Sequence, residues 1–143
     1  WSNNFTYRNW ELGFTLRASV GGKVFNNMRA EFENINGIGL RNIMASWLDD
    51  PTFTGQVTYS SKYLEDASYL KLDNISLGYS IPFKPTSKIK RLKLYFAAQN
   101  LFCLTGYSGV DPEVSLMGLT PGIESPRYYP RTREFTFGMN LKF

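Results

Sequence analysis

EFTFGMNLKF, residues 134–143, decides the fold: Phe135, Phe137, Met139, Leu141 and Phe143 fall on one side, and Glu134, Thr136, Gly138, Asn140 and Lys142 on the other. An unbroken period of two marks a β-strand with one face in an apolar medium. Working outward, the same pattern recurs in three earlier stretches. Residues 10–20, WELGFTLRASV, set Trp10, Leu12, Phe14, Leu16, Ala18 and Val20 against Glu11, Gly13, Thr15, Arg17 and Ser19. Residues 91–104 set Leu92, Leu94, Phe96, Ala98, Phe102 and Leu104 against Lys93, Tyr95, Ala97 and Gln99, with Asn100 breaking the apolar face. Residues 68–81 end with Ile75, Leu77, Tyr79 and Ile81 opposite Ser76, Gly78 and Ser80, but Leu70 and Leu72 sit on the other parity. A bulge near Asp73 and Asn74, or projection of that half beyond the bilayer, would account for the switch.

Alternation also suits a soluble sandwich. The strand lengths and the connections argue otherwise. Globular strands most often run about 5–6 residues, whereas a membrane-crossing strand needs about 9–11. Residues 82–90 form a tight turn, while 21–67 and 105–133 are long connections. Outer-membrane barrels join strands by short periplasmic turns and long extracellular loops. With the chain end in the periplasm, Trp10, Tyr79 and Phe143 gather at one rim, and Phe102 and Phe135 lie nearer the other, as an aromatic girdle requires. The predicted fold class is therefore all-β: an antiparallel transmembrane β-barrel with long extracellular loops. Four strands cannot close, and an open edge in lipid leaves backbone groups unsatisfied, so these strands are expected to complete a larger object.

Composition agrees. Aromatics are 16% of the chain while mean hydropathy is −0.28, as expected when apolar and polar residues alternate rather than form blocks. No apolar run approaches the roughly 18 residues of a transmembrane helix. There is no histidine, and the single cysteine, Cys103, can form no internal disulfide. That removes the usual ligands of zinc and haem, and Cys103 is read as a buried, inert thiol with no histidine to activate it. No cofactor and no metal are expected. Nothing near Trp1 has the layout of a signal peptide, so an amino-terminal part is expected outside this chain.

The residues now support a resemblance. YLEDASYLKLDNISLGYSIP (63–82), LKLYFAAQNLFCLTGYSGVDPEV (92–114) and YPRTREFTFGMNLKF (129–143) resemble, in order and spacing, the closing strands of SusC/RagA-type TonB-linked outer-membrane transporters. FTLRASVGGKVFNNMR (14–29) is similar to the preceding strand, less distinctively, and residues 31–56 match weakly. The resemblance implies that residues 1–143 supply the last four strands of a 22-stranded barrel, a size associated with plugged transporters. The plug and the TonB-contacting parts would then lie outside this chain. It implies import of a glycan or oligosaccharide, or alternatively a peptide, across the Gram-negative outer membrane. The implied partners are TonB, a SusD-like lipoprotein, outer-membrane lipid and the barrel-assembly machinery, and no enzymatic activity is expected. The rival reading is a soluble or surface-exposed β-sandwich used for binding or adhesion.

Several local features point further. Thr136, Gly138, Leu141 and Phe143 resemble the β-signal read by the barrel-assembly machinery. Lys84, Lys88, Lys90, Arg91 and Lys93 form a run without an acid. With no nucleic-acid module to present them, they suit a basic turn beside lipid headgroups or simply a solvated one. Gly13, Gly78, Ala97 and Gly138 either leave room for a plug or allow close strand approach. In the loops, Trp47, Tyr107, Asp111, Glu113, Arg127, Tyr128 and Tyr129 are candidates to face substrate or partner; the tyrosines either stack on sugars or pack the loop down. Asp111, Glu113 and Glu124 form no acid–base constellation and lack an EF-hand pattern. Leu40, Ile43, Met44, Trp47 and Leu48 have helical spacing, so a short helix is expected over residues 40–50.

Overall fold

A computed structural model of the protein describes residues 1–49, 59–84, 88–114, 122–124 and 127–143. Contacts group the chain into a sheet unit (residues 1–18, 69–104 and 131–143) and a loop unit (19–68 and 105–130).

The sheet unit is antiparallel and contains β1 (Ser2–Tyr7), β2 (Trp10–Ser19), β5 (Tyr69–Ile81), β6 (Arg91–Thr105) and β7 (Glu134–Lys142), in that spatial order. The four expected strands are present, each within a residue of its predicted bounds. A fifth, β1, was not foreseen. It pairs with β2 from Ser2↔Thr15 to Tyr7↔Trp10, and Arg8 in the connecting turn adopts a positive φ of 52°. In β1, Asn3, Phe5 and Tyr7 do alternate with Ser2, Asn4 and Thr6. The polar Asn3 and the short length hid this.

Two irregularities in the strands have local causes. Tyr69, Lys71 and Asp73 gather with Arg17: Asp73 accepts from its Nε at 2.8 Å and its Nη2 at 2.9 Å, Tyr69 lies 3.4 Å from its Nη1, and Lys71 lies 4.0 Å from Asp73. Farther along, Ser76 lies beside Gly13 and Gly78 beside Glu11, both on the same face of β2 as Arg17. Odd residues thus share that face before position 74 and even residues after it, which requires the extra residue expected near Asp73 and Asn74. In β6, Asn100 is left-handed, at φ 53°. Asparagine tolerates that region better than most side chains, and the expected break in the apolar face falls there.

The sheet has one apolar and one polar side. Trp10 packs against Tyr79 at 4.6 Å between ring centroids, and Phe96 against Phe137 at 4.8 Å. Around these rings Leu77 and Leu94 complete an apolar furrow. On the other face Lys93 donates to Glu11 at 2.5 Å, and Asn140 lines the same recess. No second layer covers the apolar side among the described residues: Phe137 is 80% exposed, Met139 72% and Phe143 71%. A sandwich formed within the described residues would bury this face. Cys103, expected to be buried, is instead exposed on β6, where no second layer lies over the sheet among the described residues. Among the described residues no helix is long and apolar enough to cross a membrane.

The loop unit is ordered by short elements. β3 (Lys23–Phe25) pairs with β4 (Leu64–Asp66), and Phe25 bridges to Ile123. Helix α1 spans Asn27–Phe32, capped by the Asn26 side chain, which accepts from the Arg29 amide at 3.0 Å. The helix expected over 40–50 is only a 3-10 turn at Ala45–Asp49, with residue 50 outside the described residues. The spacing was helical, but the Met44 amide donates to the Phe32 carbonyl at 2.8 Å and Arg41 Nη2 to that of Glu31 at 2.8 Å. Those bonds fix the preceding segment as turns. Val24, Ala67, Tyr107 and Val114 form the apolar core of the unit.

Candidate functional site

Three groups of residues bear on function: the polar network of the loop unit, its exposed side chains, and the closing strand β7.

The loop unit is organised round Glu65. One of its oxygens accepts from Arg29 Nη1 at 2.7 Å and from Asn26 Nδ2 at 3.1 Å; the other accepts from the Ser108 amide at 2.9 Å, and the Ser108 hydroxyl reaches both. Arg29 also donates to Glu33 Oε1 at 2.8 Å. Burial works to raise the Glu65 carboxyl, but these donors outweigh it and hold it below the ordinary glutamate value of 4.5. Glu33 behaves alike: burial opposes its charge, and hydrogen bonds from Arg29 and Ser46 overcome the penalty. Three separated stretches, around residues 26–33, 65 and 108, are thereby tied together. Sequence reading missed this network. Its one local signal was Asn26 ahead of a helical stretch, a common N-cap residue.

Of the candidate loop residues, several prove to be internal. Tyr107 is 6% exposed, and its hydroxyl donates to Glu124 Oε2 at 3.0 Å. Burial, with the Glu124 charge beside it, pushes its phenol well above the usual tyrosine range. Glu124 is itself fully buried and accepts from the Val110 amide at 2.7 Å. Asp111 is buried too, accepting from the Glu113 amide at 2.8 Å and from the Tyr128 hydroxyl at 3.1 Å. Tyr107, Tyr128, Asp111 and Glu124 therefore pack the loop down. Trp47 and Glu113 are half-buried, while Arg127 and Tyr129 are exposed. No group of three or more His, Cys, Asp or Glu side chains is placed to hold a metal among the described residues.

The closing strand runs beside β6 from Gln99↔Glu134 to Arg91↔Lys142, which sets Thr136 opposite Ala97, Gly138 opposite Tyr95 and Leu141 opposite Leu92. The Gly138 position is decided by Tyr95, whose ring lies where a Cβ on residue 138 would stand. Gly78 likewise makes way for the Lys93 stem, 2.8 Å from a would-be Cβ. Side chains of neighbouring strands thus fill the space at these two glycines. Phe143, just past the strand, is exposed.

Comparison with known proteins supplies the family. No protein-family model matches the chain. The TonB-dependent receptor SusC of Bacteroides thetaiotaomicron is 32% identical over 153 residues, covering 99% of this chain and 14% of the relative. The TonB-dependent receptor P3 of Formosa agariphila is 30% identical over 162 residues, covering 99% of this chain and 16% of that protein. Among solved structures, the RagAB peptide transporter superposes with a TM-score of 0.80 at 26% identity, over 96% of this chain and 16% of the other. The RagAB peptide importer in its closed-closed state gives 0.78 at 25% identity, over 99% and 17%. The chain spans about a sixth of the length of the curated relatives it matches. These relatives are receptors and transporters, not enzymes. Five antiparallel strands with one face left bare, aligned along nearly their whole length with such proteins, are wall of an outer-membrane β-barrel, and the chain is a homologue of the SusC/RagA-type TonB-dependent receptors.

Proposed function

We propose that this chain forms the carboxy-terminal wall of a multi-pass, 22-stranded receptor that imports a nutrient across the Gram-negative outer membrane. The observation that supports this best is the end-to-end match to SusC and to the RagAB transporter. In this reading β2, β5, β6 and β7 cross the bilayer with Trp10, Leu77, Leu94 and Phe137 toward lipid. The loop unit is extracellular, and the turn through residues 82–90 is periplasmic. Residues 85–87 and 115–121 lie outside the described residues, so the reading rests on the flanking strands. The plug and the TonB-contacting segment belong to polypeptide outside this chain, and TonB supplies the energy.

The cargo is an oligosaccharide or a peptide; the similar RagAB is a peptide transporter, which supports the peptide reading. A SusD-like lipoprotein is the proposed partner at the extracellular mouth. Trp47, Glu113, Arg127 and Tyr129 are the side chains of the loop unit proposed to meet partner or cargo. Thr136, Gly138, Leu141 and Phe143 are proposed to be read by the barrel-assembly machinery. The test is uptake of labelled oligosaccharide and peptide libraries by cells that depend on the full-length receptor. Uptake should cease when TonB is removed; uptake that persists would identify a passive pore.

A further inference from the structure

The ribbon of β3 and β4 in the loop unit has two unlike faces. Val24 and Glu65 are register partners and point inward, Val24 into the apolar core and Glu65 to the network around Arg29. Alternation sends Lys23 and Phe25 to the other side, where their partners Asp66 and Leu64 join them. That side is open: Leu64 is 47% exposed, and the Lys23 and Asp66 side chains are each 55% exposed. Tyr59 packs against Phe25 with 5.4 Å between ring centroids and 46° between ring planes, yet remains 87% exposed. Phe25 in turn meets the buried Tyr63 ring edge-on at 6.3 Å, which anchors the pair to the body of the unit. Two aromatic rings and a leucine thus stand beside a lysine–aspartate pair.

We infer that this outer face is a binding site for a neutral sugar ring, stacked on Tyr59 with its hydroxyls turned to Lys23 and Asp66. A pyranose is amphipathic. Its C–H bonds make an apolar face that packs on the negative face of an aromatic ring, while hydroxyls project round its edge. An ammonium offers three donors, and a carboxylate accepts at both oxygens. The Lys23–Asp66 contact is long, at 3.7 Å, and the other Asp66 oxygen accepts from the Ser68 amide at 2.8 Å. A charged donor and a charged acceptor therefore stand close enough to bond adjacent hydroxyls. The pair is balanced in charge, so it exerts no net pull on a phosphate or on an acidic or basic peptide. Size points the same way: three-residue strands rise about 10 Å, roughly the length of one or two sugar rings. A stable protein interface takes about 800 Å² from each partner. The inference rests on the nutrient-import reading above, in which the loop unit is extracellular, and favours the oligosaccharide of its two cargoes.

The experiment is binding of the purified full-length receptor to an array of neutral oligosaccharides and uncharged peptides, with Tyr59→Ala, Tyr59→Phe and Lys23→Gln alongside the unaltered protein. The unaltered receptor should retain at least one class of oligosaccharide. Tyr59→Ala should weaken that binding about tenfold, the upper worth of one aromatic contact. Tyr59→Phe keeps the ring and should bind as before, and Lys23→Gln should weaken binding several-fold. Tyr59 is so exposed that its loss leaves the core of the unit in place. Retention of no neutral oligosaccharide, equal retention by Tyr59→Ala, or capture of peptides alone would overturn the inference. So would a co-purifying protein that is lost in Tyr59→Ala while sugar binding is unchanged. Binding is read apart from uptake, so a receptor that holds sugar through Tyr59 but imports nothing keeps this site and fails only the import reading.

Discussion

Replacing Glu65 with glutamine should loosen the loop unit while leaving the sheet intact. Glutamine keeps the volume but not the charge, and its amide nitrogen must stand where one of two accepting oxygens was. The Arg29 ion pair becomes a neutral contact, and a donor on residue 65 then meets a donor on Asn26 or Ser108. Breaking a buried ion pair costs about 3–5 kcal/mol. The two side chains are 26% and 14% exposed, so solvent screening lowers the expectation to about 2–3 kcal/mol. The assay is amide hydrogen exchange on the full-length receptor. A loss of that size speeds exchange through local opening roughly 30- to 160-fold. It should appear at residues 24–33, 63–68 and 105–111, which carry the donors and their neighbours. Amides of residues 91–99, paired in the sheet, should not change. Unaltered exchange in the loop unit would refute the claim that Glu65 organises it.

Leu94→Arg or Phe137→Arg should cost about 2–4 kcal/mol of barrel stability if these residues face mid-membrane, measurable as lost heat-modifiable barrel in outer-membrane fractions. Glu65 and Glu33 have folded values depressed below 4.5, so their contribution is present above 4.5 and lost as pH falls beneath it. Limited proteolysis should therefore cut the loop unit faster once the pH drops below 4.5, whereas uniform sensitivity across pH would count against the network. Deleting Phe143, or Phe143→Asp, should lower the amount of assembled barrel far more than transport per assembled molecule; normal barrel levels with poor uptake would refute an assembly role. With the exposed Cys103 replaced by serine, a cysteine at Tyr129 should label in intact cells and one at Lys88 should not, and equal labelling would invert the proposed orientation.

The strands were legible because each is a local pattern. The period of two in residues 10–20, 91–104 and 134–143 needs no knowledge of the rest of the chain, and even the switch near Asp73 announced itself as a change of parity. β1 was lost because Asn3 interrupts a short apolar side whose membership shows only in the pairing Asn3↔Phe14. The loop unit was far less legible. Asn26, Glu65 and Ser108 meet across separations of 39 and 82 residues, and no spacing rule links them. The helical spacing of Leu40 to Leu48 misled because the Met44 amide bonds to the Phe32 carbonyl and the Arg41 side chain to the Glu31 carbonyl, setting the chain there. Candidate loop residues were chosen by chemistry alone, and burial divided them: Tyr107 and Asp111 turned inward, Arg127 and Tyr129 outward.

The central claim, that one face of this sheet meets lipid and the other a lumen, is tested most directly by spin labels placed one at a time along residues 134–142 of the full-length receptor in lipid bilayers. Accessibility to oxygen, which concentrates in the bilayer, and to a polar nickel chelate should alternate with a period of two. Labels at 135, 137, 139 and 141 should see oxygen and exclude nickel, and those at 136, 138, 140 and 142 should show the reverse. Equal accessibility along the strand, or nickel reaching position 137 while position 140 is shielded, would contradict the account.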